Sequence, residues 1–258
     1  MNRVLVKVCG VRTPDDARVA ADVGVDLIGL VFAPSSRRVT VDVAAEIADG
    51  VRSHSVPAPA LVGVFVNETV AQVAAICEQL DLAAVQLHGD EPPEMMAAID
   101  HPAVKALRLD ASAGLDDARR AAEPYLTCAV PAIALLVDSH VPGRYGGTGT
   151  RGNWELTARL AEEYPVILAG GLYSENVTAA IESVRPLGVD VSSGVETGGI
   201  KDHDRIRAFV GAARRADAPV LAGRQEAQRL TFGHRRPVSL GQQNSGLNRA
   251  PHTDEEQP

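Results

Sequence analysis

Cys9 and Asp138 are the two side chains of this sequence whose types and positions are best suited to moving protons. Cys9 follows the apolar run Val4 to Val8, and Asp138 ends the apolar run Leu135-Leu136-Val137. A thiolate can withdraw a proton from carbon, and a carboxylic acid can protonate an oxygen, so the pair forms a general base and a general acid. This chemistry is typical of a sugar isomerase, and it requires neither a metal nor a redox cofactor.

Nucleophilic catalysis by Cys9 is an alternative that the sequence leaves open. It requires a partner base, such as His88, within hydrogen-bond reach of the thiol. Cys77 and Cys128 are interpreted as packing residues. The three cysteines are far apart and form no Cys-x-x-Cys pair, so neither a disulfide framework nor a zinc site is predicted.

Two glycine-containing segments predict a binding site for a phosphate group. They are Gly170-Gly171 and the run Ser192-Ser193-Gly194, and each follows a short apolar run. Glycine lets the backbone approach an anion closely, so that main-chain N–H groups can bind it. Two ordinary turns are the alternative interpretation.

Two adjacent arginines follow another apolar run, after Pro34-Ser35-Ser36. The guanidinium of Arg38 is predicted to lie beside an anionic substrate and to present a fork of hydrogen-bond donors to it. For Arg37, a solvated surface charge is the preferred interpretation.

The elements that must position these residues alternate regularly between strand and helix. Apolar runs of three to six residues predict strands, and each is followed by a segment with helical periodicity. Thr13 and Thr40 are placed to cap the first two helices, and Pro14 suits a first helical position. The predicted strands are 4–8, 27–32, 61–66, 84–87, 104–109, 133–137, 166–169 and 189–191, and the helices after the first are 41–51, 69–80, 92–99, 115–125, 154–164, 174–184 and 203–214.

Eight such pairs within about 215 residues predict an α/β fold, the (β/α)8 or TIM barrel. An open doubly wound sheet is the rival, but it usually has fewer units and a Gly-x-Gly-x-x-Gly turn, which Cys9-Gly10-Val11-Arg12 does not match. In the barrel, the active site lies at the carboxyl ends of the strands. That rule brings Cys9, Asp138 and both glycine segments to one face.

Composition limits the remaining function classes. The net charge of −8 argues against general nucleic-acid binding, which needs clustered lysine and arginine. The sequence has no apolar run of bilayer-spanning length and no segment typical of a signal peptide, so we expect no membrane association and a cytoplasmic location. Residues 1–215 are predicted to form a single catalytic domain. Residues 216–258 are polar and rich in proline and glutamine, and are predicted to form a disordered tail.

With these residues assembled, the chain resembles the phosphoribosylanthranilate isomerases over roughly residues 3 to 212. Single motifs are weak signals, but many in the same order and at matching spacing are specific. The matching stretches are KVCGV at 7–11, GLVFAPSSRRV at 29–39, GVFVN at 63–67, VQLHGDE at 85–91, LVD at 136–138, YGGTG at 145–149, AGGL at 169–172, ENV at 175–177, VDVSSGVE at 189–196 and KDH at 201–203.

The resemblance implies an Amadori rearrangement of a phosphoribosylated anthranilate in tryptophan biosynthesis. It implies that Cys9 is the general base and Asp138 the general acid. The substrate-binding residues implied by it are Arg38, His88 and Asp190, and the phosphate-binding residues are Gly170, Gly171, Ser192, Ser193 and Gly194. The expected partner is the small phosphoribosyl substrate, with the protein a monomer or a homodimer.

Two other functions are weighed against this isomerase. The first is a related phosphosugar isomerase or lyase of a histidine-type pathway, although such barrels usually place an aspartate where this chain has Cys9. The second is a barrel that binds a phosphorylated ligand without catalysis. The presence of both Cys9 and Asp138 argues against the second.

Overall fold

The computed structural model describes residues 3–54, 57–109, 113–138 and 154–216. Within these ranges, eight parallel strands close into one barrel in chain order, which confirms the predicted (β/α)8 fold and excludes the open sheet. The strands are β1 (Leu5–Cys9), β2 (Leu27–Val31), β3 (Ala60–Phe65), β4 (Ala84–Leu87), β5 (Ala103–Leu107), β6 (Ala134–Asp138), β7 (Val166–Ala169) and β8 (Gly188–Val191). The helices are α1 (Pro14–Asp22), α2 (Val41–His54), α3 (Val70–Leu80), α4 (Glu94–Ile99), α5 (Leu115–Thr127), α6 (Trp154–Glu163), α7 (Val177–Val184) and α8 (His203–Arg215).

The predicted caps of the first two helices are present. The Thr13 hydroxyl accepts a hydrogen bond of 3.1 Å from the Asp16 N–H, and Pro14 occupies the first turn of α1. The Thr40 hydroxyl accepts one of 3.3 Å from the Val43 N–H at the start of α2. Each cap satisfies a backbone donor that the helix itself leaves unpaired, which fixes where the helix begins.

Side chains alternate along each strand between the barrel interior and the layer of helices. On β1, Val6 and Val8 pack in the large cluster that joins the strands to the helices. Cys9 has the opposite orientation and packs with Val31 and Val64 at the upper end of the interior. On β6, Leu136 belongs to an interior cluster, and Asp138, two positions later, lies on the same face of the strand. Cys9 and Asp138 therefore both end their strands on the inward side.

Strands β1 and β8 close the barrel, with Lys7 opposite Asp190 in the register. Arg214, near the end of α8, joins the last helix to the first strand. Its guanidinium donates to the Val4 carbonyl at 2.7 Å and to the Gly24 carbonyl at 2.6 Å, and it forms an ion pair with Asp26 at 2.6 Å. These contacts hold the carboxyl-terminal end of α8 against the amino ends of the strands.

One structural feature between β8 and α8 was not predicted. A short 3-10 helix, Ser193–Val195, is followed by an antiparallel hairpin of β9 (Glu196–Thr197) and β10 (Ile200–Lys201). Both residues of the hairpin turn, Gly198 and Gly199, have positive φ. The hairpin turn contacts the loop after β1, because Arg12 donates a hydrogen bond to the Gly199 carbonyl.

Some predictions fall on residues that the structure does not describe. The predicted tail, 216–258, lies outside the described residues except for Ala216, and so does the stretch YGGTG at 145–149. Within the described ranges, no helix is both long and apolar enough to cross a bilayer.

Candidate active site at the carboxyl ends of the strands

Cys9 is the last residue of β1, and its thiol lies inside the barrel mouth at 8% exposure. Lys7, two residues earlier on the same face of the strand, has its ammonium group beside the sulfur and donates a hydrogen bond of 2.8 Å to Asp190 Oδ1. Ser192, directly after β8, contacts the end of β1, because its hydroxyl donates a hydrogen bond of 3.1 Å to the Cys9 carbonyl. The thiol therefore lies among charged groups from both strands that close the barrel.

The protonation of Cys9 depends on opposing effects. Burial raises the pKa of the thiol, and the Lys7 ammonium lowers it. The Asp190 carboxylate raises it again, whereas Lys201 lowers it. The net result is a pKa above the ordinary value, because loss of water around the sulfur outweighs the two nearby cations.

Gly29 on β2 leaves the space in which the Cys9 thiol and the Lys7 ammonium meet. A Cβ on residue 29 would stand 2.9 Å from Cys9 Sγ and 2.9 Å from Lys7 Nζ, closer than such atoms can approach. Only glycine at this position allows both groups their observed places.

We therefore expect Gly29→Ala to reduce kcat and to destabilise the fold by about 1–3 kcal/mol, because the added methyl group overpacks the interior. Steady-state kinetics and urea unfolding measure the two effects. Gly50→Ala in α2 is the matched control, since its added Cβ would meet only Pro14 at an ordinary 3.8 Å. Equal activity in the two variants would contradict this role for Gly29.

Asp138 and His88 face the same mouth as Cys9. Asp138 is the last residue of β6, is partly exposed and lies opposite Ala169 in the register. His88 follows β4 and is also partly exposed. Burial lowers the pKa of the imidazole, while the charges of Asp190 and Asp138 oppose this effect, so the ring is neutral near pH 7.

The ring of His88 is oriented by Gln86, two residues earlier on the same strand. Gln86 Nε2 lies 2.8 Å from His88 Nδ1. The Cys9 sulfur lies beside the Lys7 ammonium group, because both are 2.9 Å from the point where a Cβ on residue 29 would stand. These contacts favour Cys9 as a base beside an ammonium group over the alternative of a nucleophile activated by His88.

The loop that carries His88 is held by a buried carboxylate. Glu91 accepts hydrogen bonds from the backbone N–H groups of Asn67, at 2.8 Å, and Gly89, at 2.9 Å, and it forms an ion pair with Lys105 at 2.7 Å. Lys105 also donates to the Gly89 carbonyl at 2.6 Å. The loops after β3 and β4 are therefore fixed together, which restrains the position of His88.

The two adjacent arginines have different environments. The interpretation of Arg37 as a solvated charge is wrong: its guanidinium donates two hydrogen bonds of 2.7 Å to Glu196, whose side chain is only 6% exposed. Such a fork matches a carboxylate in geometry as well as in charge. Arg38 is exposed, and no carboxylate among the described residues forms an ion pair with it. It remains a candidate for binding an anionic substrate group.

Glu196 connects Arg37 to Lys201, at 2.6 Å, and so joins the β9–β10 hairpin to the loop after β2. Arg12 strengthens this connection by donating to the Ser36 and Gly199 carbonyls, at 3.0 and 2.8 Å. Burial alone would raise the pKa of Glu196, but the hydrogen bonds from Arg37 and Lys201 outweigh burial and lower it to about 2.

This shift predicts a pH dependence of stability. Because the folded pKa lies below the ordinary value of 4.5, the stabilisation by Glu196 is complete above about pH 4.5 and is lost as the pH falls toward about 2. We expect Glu196→Gln to be less stable at neutral pH and to lose less stability on acidification than the unmodified protein.

Urea unfolding at about pH 6 and about pH 3 measures that difference. Glu78→Gln, at an exposed position of α3, is the matched control and should behave like the unmodified protein. An acid-induced loss in Glu196→Gln as large as in the control would contradict the role assigned to Glu196.

The two glycine segments of the predicted phosphate site pack against each other. Gly170 and Gly171 have positive φ values of 89° and 63°. A Cβ on Gly194 would lie 1.9 Å from the Leu172 carbonyl oxygen, so only glycine allows the loops after β7 and β8 to approach this closely. A Cβ on Gly171 would meet no atom within 4 Å, which leaves its backbone open to a ligand.

Among the described residues, no group of three or more His, Cys, Asp and Glu side chains is arranged to hold a metal ion.

Comparisons with known proteins agree with this geometry. The family model described as N-(5'phosphoribosyl)anthranilate (PRA) isomerase matches residues 6–212. The chain belongs to this isomerase family. An N-(5'-phosphoribosyl)anthranilate isomerase of Roseiflexus sp. (strain RS-1) is 49% identical over 215 residues, which are 82% of this chain and 98% of the relative. That of Roseiflexus castenholzii is 48% identical over 217 residues, 83% of this chain and 99% of the relative.

Solved structures of the isomerase family have the same barrel. The phosphoribosyl anthranilate isomerase of Thermotoga maritima matches with a TM-score of 0.70 at 36% identity, over 81% of this chain and 98% of that one. A phosphoribosyl anthranilate isomerase solved with reduced 1-(o-carboxyphenylamino)-1-deoxyribulose 5-phosphate matches with a TM-score of 0.67 at 34% identity, over the same shares of the two chains.

Several residues of this isomerase site were not identified from the sequence. Lys7 and Gln86 lie within apolar strands and are almost completely buried, at 2% and 1% exposure. A charged or amide residue at an inward position of a strand was the signal available for them, since such groups are seldom buried without a partner. Glu196 and Lys201 gave no comparable signal, because they belong to the hairpin that was not predicted.

Proposed function

We propose that this chain catalyses the Amadori rearrangement of N-(5'-phosphoribosyl)anthranilate to 1-(2-carboxyphenylamino)-1-deoxyribulose 5-phosphate, a step of tryptophan biosynthesis. Family membership over residues 6–212 supports this substrate. The single observation that carries the chemistry is that Cys9 and Asp138 end β1 and β6 on the inward side of one barrel mouth. Such an arrangement lets a base and an acid act on different atoms of one bound sugar.

The first step assigned to this site is ring opening. Asp138 donates a proton to the ribose ring oxygen, the bond between that oxygen and C1' breaks, and the anilino nitrogen forms a Schiff base with C1'. Protonation is needed because an alkoxide is a poor leaving group. The partial exposure of Asp138 at the end of β6 leaves its carboxyl accessible to a sugar in the mouth.

The second step is proton removal from carbon. The Cys9 thiolate takes the proton from C2', and the electron pair of that C–H bond forms the double bond of an enolamine. The enolamine then tautomerises to the ketone, with a proton added at C1' and one lost from the C2' hydroxyl. The cycle closes when Cys9 releases its proton and Asp138 regains one, so substrate and product have the same composition.

The remaining residues of the site hold the two anionic ends of the substrate. Arg38, which has no carboxylate partner among the described residues, is assigned to the anthranilate carboxylate. His88 and Asp190 line the pocket between the reacting carbons and the loop after β4. Main-chain N–H groups of Gly170, Gly171, Ser192, Ser193 and Gly194 are assigned to the phosphate.

The hydroxyl of Ser192 is already engaged with the Cys9 carbonyl. Its part in phosphate binding is therefore assigned to the backbone. Gly171, with open space beside its Cα, is assigned the closest approach to the anion.

We assign the activity to a catalytic domain of residues 1–215. The last helix, α8, ends at Arg215, and the family match ends at residue 212.

The experiment that tests this function follows the fluorescence of freshly prepared phosphoribosylanthranilate as purified protein is added. We expect the anthranilate-type fluorescence to disappear at a rate proportional to protein concentration, and a metal chelator to leave that rate unchanged. Unchanged fluorescence with saturable binding would instead indicate a non-catalytic barrel. Turnover of a histidine-pathway phosphosugar alone would indicate the related isomerase.

A further inference from the structure

Lys7 places a positive charge inside the barrel, on the same face of β1 as Cys9. Neither the proposed acid and base nor the proposed substrate contacts account for it. We propose that Lys7 is a positioning residue whose ammonium group, held by Asp190, orients the Cys9 sulfur and stabilises the thiolate that takes the sugar proton. This inference rests on the proposed function and assigns a role to a residue that the reaction does not otherwise use.

The contacts of Lys7 are specific. Its side chain is only 2% exposed, and its Nζ lies 2.8 Å from Asp190 Oδ1. Lys7 Nζ and Cys9 Sγ converge on one point, since each lies 2.9 Å from the position that a Cβ on residue 29 would take. The space for this meeting is provided by Gly29 on the neighbouring strand. An ammonium that is fixed by a carboxylate and lies beside a sulfur attracts the thiolate toward one position and favours the charged form of the sulfur.

Stability alone does not explain a buried ion pair at this place. Removing a lysine and an aspartate from water has a large desolvation penalty, and an apolar pair of similar volume is often as stable or more stable. The interior already contains such packing immediately below, where Leu5 packs with Leu136 and Ile167. The charge is therefore better explained by its contact with the thiol than by packing.

The charged groups that act on the Cys9 thiol come from four parts of the fold. Lys7 lies on the same strand, Asp190 on β8, Lys201 on β10, and Arg37 in the loop after β2. Burial raises the pKa of Cys9, and among the charged groups Lys7 has the largest effect and opposes burial. Asp190 acts in the other direction with a smaller effect, and the cations Arg37 and Lys201 are both paired with Glu196.

The test is a pH titration of the Cys9 thiolate by its ultraviolet absorbance, with Cys9→Ala as the blank for other absorbing groups. Lys7→Met keeps a side chain of similar length but removes its charge. In this variant we expect the titration midpoint of Cys9 to rise by about one pH unit or more. The acid limb of kcat/KM should move in the same direction by a similar amount. A role limited to packing would change neither midpoint.

A second variant addresses folding, because Lys7→Met leaves Asp190 without its buried partner. Lys7→Met combined with Asp190→Asn removes both charges, and its midpoint should still exceed that of the unmodified protein, because Lys7 has a larger effect than Asp190. The matched control is Lys105→Met, which breaks another buried ion pair, with Glu91 at 2.7 Å, on the outward side of β5. It should leave the Cys9 midpoint unchanged.

The outcomes separate this inference from the proposed function. The titration needs no substrate, so it reports on Lys7 whether or not the fluorescence assay detects isomerase activity. Midpoints that stay unchanged in both Lys7 variants would overturn the role of Lys7 even in an active enzyme. A Cys9 midpoint that moves as far in Lys105→Met as in Lys7→Met would also overturn the role of Lys7, because the shift would then follow from general destabilisation.

Discussion

Replacing Cys9 by alanine is expected to reduce kcat by about 100- to 10,000-fold, because a general base contributes an acceleration of that order. The substitution removes the only atom of this side chain that can accept the C2' proton. It leaves a space of about one sulfur atom beside Val31 and Val64, so the barrel should remain folded. Steady-state kinetics measure the loss, and circular dichroism checks the fold.

Two further cysteines serve as matched controls for the Cys9 variant. Cys77 is buried in α3, and Cys128 is partly exposed at the end of α5. Cys128→Ala and Cys77→Ala should keep normal turnover, although the second should lose some stability. Normal turnover in Cys9→Ala would show that the base has been assigned to the wrong residue.

Replacing Asp138 by asparagine is expected to reduce kcat by a similar factor, about 100- to 10,000-fold, because asparagine keeps the size of the side chain but cannot act as the acid. KM should change much less, since phosphate and carboxylate binding are assigned to other loops. Asp81→Asn is the matched control. Asp81 is exposed after α3 with φ of 47°, a conformation that asparagine accepts, so this variant should have normal kinetics.

A substrate deuterated at C2' distinguishes the two roles. In Cys9→Ala, breaking of the C2'–H bond should become rate-limiting, and the isotope effect on kcat should increase. In Asp138→Asn, ring opening should become rate-limiting, and the isotope effect should approach unity. The reverse pattern would contradict the assignment of the acid and the base.

Much of the fold could be predicted from the sequence because its strongest signals are local. The apolar run that ends at Val8 and the run Leu27 to Phe32 each predict a buried strand, and a cap such as Thr13 marks the start of the helix that follows. Eight repeats of such signals leave few architectures. The positions of Cys9 and Asp138 then follow from chain direction, because all parallel strands end at one face of the barrel.

The interior charges could not be predicted because they depend on closure of the barrel. Lys7 and Asp190 are 183 positions apart in the chain and meet only where β1 pairs with β8. The same reason explains the error at Arg37, whose partner Glu196 is 159 positions away. A strand of two residues, such as β9, is also too short to give a periodic signal, although Gly198-Gly199 is a recognisable hairpin turn.

The attachment of α8 by Arg214 determines where any chain beyond the barrel begins. Because the Arg214 guanidinium contacts the Val4 and Gly24 carbonyls, Ala216 starts on the side of the molecule remote from the opening that holds Cys9. A reporter protein or an immobilisation tag fused after this point would therefore be anchored away from the entrance used by the substrate. The enzyme could be tethered to a surface through its carboxyl-terminal side with that entrance turned toward the solution.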